Sequence, residues 1–536
     1  MITLLPEGPL DYTVPMIDPT DISRRAFVMG AGATVAVSAT AVSNVATAVT
    51  ASASAAATAS AETQALANLS AVEAVSRMAR GELAAERYAA ALLERCRAAQ
   101  TLNAFISLEP EHVLADARAR DLERRAGAKP GALFGLPMPI KDSVNTAAYR
   151  TTGGTPALRN FRPKQDAPIV ASLRAAGAVV LGKTNLHELS YGWTSDNRAF
   201  GAVHNPYDAA RIPGGSSGGT AAAIAARLAP LGLAEDTEGS IRVPAAFCGI
   251  AGLRPTTGRY STRGCIPITP LFDQVGPHAR SVADLALFDS AVTADWSPLV
   301  ATPLHGVRLG VVRDYWFAGL DPEVQHVTER ALRRLVDAGA ELVETPLPGL
   351  APLIAATTYA VQNHDVRVAL TRYLAEYDAG VGFDAVVSAA SSDIQATFRS
   401  DVLPGGANFV TEEEYDAARD RRLPALRSLY ADYFARNGVA AMVFPTTLVA
   451  APPIGEDDTL IIDGHPVAFD IAVARNIAPG STAGIPGLVL PAGLTSGGLP
   501  VALEFDAPAG GDRRLLALGL SLERALGPLP APRGYA

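Results

Sequence analysis

The stretch Arg211-Ile-Pro-Gly-Gly-Ser-Ser-Gly-Gly-Thr220 runs without a break into Ala221-Ala-Ala-Ile-Ala-Ala226. Four glycines around Ser216 and Ser217 open backbone shapes closed to other residues. The small-residue run behind them predicts a helix that can approach its neighbours closely. A phosphate cradle would use the N–H groups at that helix start, but a P-loop needs a lysine after its last glycine, and Thr220 and Ala221 stand there. A nucleophile elbow fits Gly214-x-Ser216-x-Gly218 and the frame around Ser217. It also needs an apolar strand just before it, where Asp208-Ala-Ala-Arg-Ile-Pro213 reads as a loop, and a later Asp and His. The last histidine, His465, lies in Asp463-Gly-His-Pro466, which reads as a turn. A flexible linker is disfavoured because a helix follows at once.

A second serine adds a further reading. Ala234-Glu-Asp-Thr-Glu-Gly-Ser-Ile-Arg-Val-Pro244 sets Ser240 after a glycine between two apolar segments. Successive N–H groups in such a turn can converge on one point, as an oxyanion requires; one such donor is worth about 3 kcal/mol of barrier.

These two segments, with Pro139-Ile-Lys-Asp142 upstream, resemble the amidase-signature family. The likeness extends over Lys183-Thr-Asn-Leu-His-Glu188, Asn205-Pro206, Gly252-Leu-Arg-Pro-Thr256, Phe444-Pro-Thr-Thr447 and Gly487-Leu-Val-Leu-Pro-Ala-Gly493, so it spans most of residues 64–520. The resemblance implies one large α/β domain, a mixed, twisted sheet covered by helices. It implies a catalytic lysine at Lys141, a bridging serine held by a cis peptide at Ser216, and a nucleophile at Ser240. Backbone N–H groups of Thr237, Glu238, Gly239 and Ser240 would hold the oxyanion. Ser217, Asp236 and Arg242 would support them. Many relatives carry glycine where Glu238 stands; a glutamate would be strained if the backbone there needs φ > 0, and its carboxylate is expected to point away from the oxyanion.

The chemistry requires these types. A serine hydroxyl needs a base to take its proton, and no histidine is near either serine in sequence. Lysine serves if burial keeps it neutral. The run Leu133, Phe134, Leu136, Met138, Ile140 supplies an apolar setting before Lys141, although a lysine capping a strand end in solvent is the commoner arrangement.

Outward from these motifs, the chain alternates helix and strand. Helical spacing covers 64–100 through Leu66, Leu69, Val72, Val75, Met78, Leu83, Tyr88, Leu92 and Leu93. Asp166-Ala-Pro168 opens a helix that stops at Gly177, and Ala178-Val-Val-Leu181 follows as a strand. Strand, helix and strand return at 307–312, 322–338 and 340–344, and short apolar runs precede Pro445 and Pro491. The less regular stretch 376–412 reads as an inserted cap or loop region.

The bulk numbers agree with one large domain. Of 536 residues, 49% are hydrophobic and 18% charged, enough to bury a sizeable core. The net charge is −9, without a long basic run, so a nucleic-acid partner is not expected. Cys96, Cys248 and Cys265 form no CxxC, and the histidines show no HExxH spacing, so a mechanism without metal or cofactor is expected. At the amino terminus, Ser23-Arg-Arg-Ala-Phe27 precedes a run free of charge from Ala26 to Ala61, with Ala59-Ser-Ala61 as a cleavage site. Residues 1–61 therefore read as a twin-arginine (Tat) export signal and 62–536 as the catalytic domain, with a periplasmic or extracellular location and no stable membrane association after cleavage. The run is long enough to be a membrane anchor, but Ala, Thr and Ser insert poorly.

Within the resemblance, the nearest echo is with hydrolases of arylacetamide-like primary amides, such as indoleacetamide or mandelamide. Tyr191, Trp193, Phe200 and Trp316 are the candidates to line an apolar substrate pocket, against the commoner fate of aromatic residues in cores. The expected partner is a small-molecule amide, and a homodimer is the assembly considered. Rival readings are an amidotransferase subunit, an esterase, an α/β-hydrolase using Ser216 with a histidine, and a non-catalytic binding protein.

Overall fold

Strands buried on both faces read as continuous apolar runs rather than as alternations. The computed structural model, which describes residues 61–535, assembles such runs into an eleven-stranded sheet. In chain order its strands are β1 (Phe105–Ser107), β2 (Pro137–Lys141), β3 (Val179–Thr184), β4 (Leu231–Asp236), β5 (Ala251–Arg254) and β6 (Gln274–Ala279). β7 (Arg308–Val311), β8 (Glu341–Glu344), β9 (Ala441–Pro445), β10 (Gly487–Leu494) and β11 (Pro500–Asp506) complete it. Their spatial order is β1-β3-β2-β4-β6-β5-β10-β11-β9-β7-β8. β2 runs parallel to both β3 and β4, while β4 and β6 are antiparallel, so the sheet is mixed. The described residues, 61–535, belong to one compact unit.

The register of β2 against β4 positions the chemistry. Ile140 pairs with Leu233, so the next residue of β2, Lys141, ends beside the last residues of β4, Glu235 and Asp236. The Gly/Ser loop ahead of β4 leads into the helix Gly218–Ala225, every residue of which is buried. Only a slim helix fits there: a Cβ on Gly219 would lie 2.4 Å from Asn185 O and 2.5 Å from Ala104 O.

The strands read from sequence at 307–312, 340–344, 441–444 and 487–490 all form, as does the helix Pro168–Ala175. The helix Pro322–Asp337 starts where the sequence places it, with Asp321 accepting from the N–H groups of Glu323 and Val324, a cap worth about 1 kcal/mol. The helical stretch expected over 64–100 forms as more than one helix. Ala71–Ala79 and Ala85–Ala98 are separate helices around Gly81, whose φ is +76°, and Val72 is exposed rather than in the core. The stretch 376–412 is more regular than its composition implies. It contains the helices Phe383–Ala389 and Ser392–Thr397 and a π-helical turn Phe398–Val402, packed with the helix Thr358–Glu376 around a second small core. The export-signal reading falls on residues outside the described ones, apart from position 61. Among the described residues no helix is long and apolar enough to cross a membrane.

Candidate active site

Lys141 is fully buried, as its apolar approach requires. Its Nζ donates to Ser216 Oγ at 2.6 Å and to Glu235 Oε2 at 2.9 Å. Burial lowers the lysine's pKa below its ordinary value, while Glu235, Asp236 and Cys265 act against that shift. Glu235 is itself buried and its Oε2 also accepts from Ser143 Oγ at 3.1 Å and Ser190 Oγ at 2.8 Å. The lysine therefore has a hydroxyl on one side and a braced carboxyl group on the other.

The Gly/Ser loop is pinned from several directions. The Gly215–Ser216 peptide is cis, as the family resemblance implies. Ser216 O accepts from His187 N at 3.1 Å and from Ser195 Oγ at 3.2 Å. Ser217 Oγ donates to Glu235 O at 2.9 Å, and Ser217 N donates to Ser240 O at 3.3 Å. That last bond ties the loop directly to the turn that carries Ser240. His187 is buried and uncharged, its pKa lowered to about 4 by desolvation.

Asp236 shapes the turn. It accepts from Gly239 N at 2.8 Å and Ile241 N at 3.0 Å. Burial opposes its charge, yet Arg242 and Arg254 hold its pKa down to about 2. Arg242 Nε is 3.1 Å from Asp236 Oδ2, and its Nη1 donates to Glu504 Oε1 at 2.6 Å. Ser481 Oγ also bonds Arg242.

This network corrects the expected oxyanion set. The Gly239 N–H is already committed to Asp236, which leaves the N–H groups of Thr237, Glu238 and Ser240 without a partner among the described residues. Gly239 instead supplies conformation: its φ is +95°, and a Cβ there would lie 1.8 Å from Ile477 Cδ1. Glu238 is spared a positive φ. It lines the cavity in front of Ser240, with Oε2 accepting from Gln362 Nε2 at 2.6 Å, and desolvation raises its pKa to about 7. Trp193 Nε1 donates to Glu238 O at 2.8 Å and fixes that peptide plane.

The cavity has a volume of about 370 Å³, at the lower end of small-molecule sites. Ser240, Tyr191 and Trp193 face it, whereas Phe200 and Trp316 do not. Phe200 lies under Arg159, whose guanidinium carbon is 5.0 Å from the ring centroid. Trp316 is core: it stacks on Phe444 and its Nε1 donates to Asn476 O at 2.8 Å. Trp316→Ala is accordingly expected to cost about 3–5 kcal/mol of stability, read by chemical denaturation, rather than to change KM alone.

No histidine lines this cavity. His465 sits on an exposed hairpin, Thr459–Ile462 with His465–Ala468, so the reading of Ser216 with a late histidine fails. Lys183 has a structural place instead. It anchors the loop after β2 through Val144 O at 2.7 Å, Thr151 Oγ1 at 3.0 Å and the Asp142 carboxylate at 3.3 Å. Among the described residues no cluster of three or more His, Cys, Asp or Glu could hold a metal.

A buried lysine joined to one serine, beside a turn that presents a second serine to a cavity, is the layout of a serine–lysine hydrolase. The chain belongs to the amidase family, whose model matches residues 87–516. It is 37% identical over 457 residues to an indoleacetamide hydrolase of Agrobacterium vitis, covering 85% of this chain and 97% of the relative. A mandelamide hydrolase of Pseudomonas putida is 36% identical over 484 residues, covering 87% of this chain and 93% of the relative. The native peptide amidase structure from Stenotrophomonas maltophilia superposes with a TM-score of 0.71 at 31% identity, covering 87% of this chain and 98% of that one.

Proposed function

We propose that this amidase hydrolyses a small primary carboxamide, aryl- or arylacetamide-like, to the carboxylic acid and ammonia through an acyl ester on Ser240. The observation that carries the mechanism is the buried Lys141 Nζ at 2.6 Å from Ser216 Oγ, with Ser240 facing the cavity. Neutral Lys141 takes the Ser216 proton as Ser216 takes that of Ser240. Ser240 Oγ bonds the amide carbon, and the carbonyl electrons move to oxygen, facing the free N–H groups of the turn. The relay returns the proton to nitrogen, the C–N bond breaks, and ammonia leaves. Water then repeats the sequence against the ester. The apolar walls at Tyr191 and Trp193 and the modest cavity support a small aromatic substrate.

Ammonia release from a panel of primary amides, with the matching esters alongside, tests the reading. Labelling by a fluorophosphonate probe should map to Ser240; failure of both labelling and turnover would favour a non-catalytic binder.

Glu235 bears on the pH profile. As Lys141 gains a proton, the carboxylate at 2.9 Å stabilises the new ammonium. The other titratable groups facing the lysine are Asp236, Cys265, His187 and His278. Activity needs neutral lysine, so kcat/KM falls as pH drops through the lysine's pKa. Glu235 raises that pKa against burial. Glu235→Gln should therefore move the acid limb to lower pH and reduce the plateau; a limb left in place would remove Glu235 from the relay.

We also propose export by the twin-arginine route, supported by Arg24-Arg25 and the uncharged run behind them. The three cysteines are free and buried, so folding does not wait on disulfides before export. Replacing both arginines by lysine should abolish export, as read by cell fractionation.

A further inference from the structure

We propose that the substrate of this site carries a protonated amine at the end remote from its amide, with Glu238 as the main counter-charge; this rests on the amidase reading above. Among the described residues, the cavity wall holds three carboxyl groups, Glu238, Asp401 and Asp470, and no lysine, arginine or histidine. Such a wall repels an anionic substrate and leaves its own charge uncompensated until a cation arrives. Each of the three acids has a donor on one oxygen only: Asn408 Nδ2 to Asp401 Oδ1 at 2.9 Å, Tyr359 OH to Asp470 Oδ2 at 3.5 Å and Gln362 Nε2 to Glu238 Oε2 at 2.6 Å. Glu238 is only 4% exposed, and Gln362 satisfies its Oε2 alone, so Oε1 has no protein donor. The Arg242 guanidinium, whose charge acts on Glu238, is already engaged by Asp236 and Glu504.

The rest of the wall suits the same ligand. Tyr191, Trp193 and Tyr359 present aromatic groups beside the carboxyls, and ring faces attract an ammonium where water is thinned. Asn363 is held by Tyr191 OH at 3.2 Å, so the ring's position is fixed. The raised pKa of Glu238 fits a carboxyl group awaiting its counter-ion, because a cation at Oε1 would favour the ionised form. The amide end of the substrate must reach Ser240, and Glu238 stands two residues before it in the same turn and lines the same cavity, so one small molecule can meet both.

Three isosteric probes test this: para-(aminomethyl)phenylacetamide, para-ethylphenylacetamide and para-carboxyphenylacetamide. Ammonia release should rank ammonium above neutral above carboxylate, with kcat/KM for the first about ten-fold over the second, a factor equivalent to one modest ion pair. Glu238→Gln should shrink that ratio to near one, and Asp470→Asn, at a half-buried site, should shrink it in part if the first variant fails to fold. An equal or inverted ranking in the wild-type protein, or a ratio unmoved in both variants, overturns the inference. If none of the three is hydrolysed, calorimetric binding to Ser240→Ala decides: tighter binding of the ammonium probe upholds the inference while the amidase reading falls, and equal binding of all three overturns it.

Discussion

Ser240→Ala is expected to lower kcat on any amide the wild-type protein hydrolyses by at least about four orders of magnitude, with thermal unfolding unchanged. The hydroxyl is the atom that bonds the acyl carbon, and the remaining N–H groups can only polarise a carbonyl for attack by unactivated water. Its loss leaves the fold alone because Ser240 engages the structure through its backbone, by way of Ser217 N to Ser240 O. Lys141→Ala should abolish turnover at neutral pH as thoroughly, but its stability should differ. Removing Lys141 leaves the buried Glu235 carboxyl without its lysine donor at 2.9 Å, and stranding a buried polar group costs about 1–3 kcal/mol. The two variants therefore separate nucleophile from base by a denaturation curve as well as by rate. Near-normal activity in either one would remove its residue from the mechanism.

Arg242→Met is the substitution expected to damage the fold most. Arg242 is 1% exposed and faces Asp236, Glu504 and Ser481 at once. Its loss leaves those acids with Arg254 alone, 3.3 Å from Asp236 Oδ1. A loss of about 3–5 kcal/mol is expected, a large share of ordinary domain stability. The sign of its pH dependence follows from Glu504 and Asp506, whose pKa values burial already raises above the usual carboxylate range. A carboxyl raised in the folded state favours folding most below its unfolded pKa and loses that contribution as pH rises through the folded value. Without Arg242 both would rise further, so the variant should be weaker, relative to wild type, in mildly alkaline than in mildly acidic urea titrations. Equal deficits at both would show that Arg242 acts by packing instead.

What could be read from sequence followed from local chemistry. The apolar run before Lys141, the glycines around Ser216 and the Gly-Ser step at Ser240 each announce an unusual position by themselves, and the family likeness joins them. The partners that complete the site come from register. Glu235 faces the lysine because Ile140 pairs with Leu233, and nothing in Ala234-Glu-Asp236 says which strand lies alongside. The commitment of the Gly239 N–H to Asp236 is likewise a fact of turn geometry. Trp193 and Trp316 are chemically alike, and only tertiary packing sends one to the cavity and the other against Phe444. The helices within 376–412 escaped notice because their apolar faces are short and serve a small separate core, so no long periodicity builds up.

The division of labour around the cavity has an evolutionary corollary. Lys141 and Ser240 sit at or just past the ends of β2 and β4 and Ser216 in the loop between β3 and β4, while much of the cavity wall, including Tyr359, Gln362, Thr397 and Asp401, comes from a distant span of chain. Drift in that span can retune which molecules are admitted while the bond-breaking apparatus is inherited unaltered. A chimera carrying a relative's residues 350–437 would then be expected to inherit the donor's diet and the recipient's chemistry.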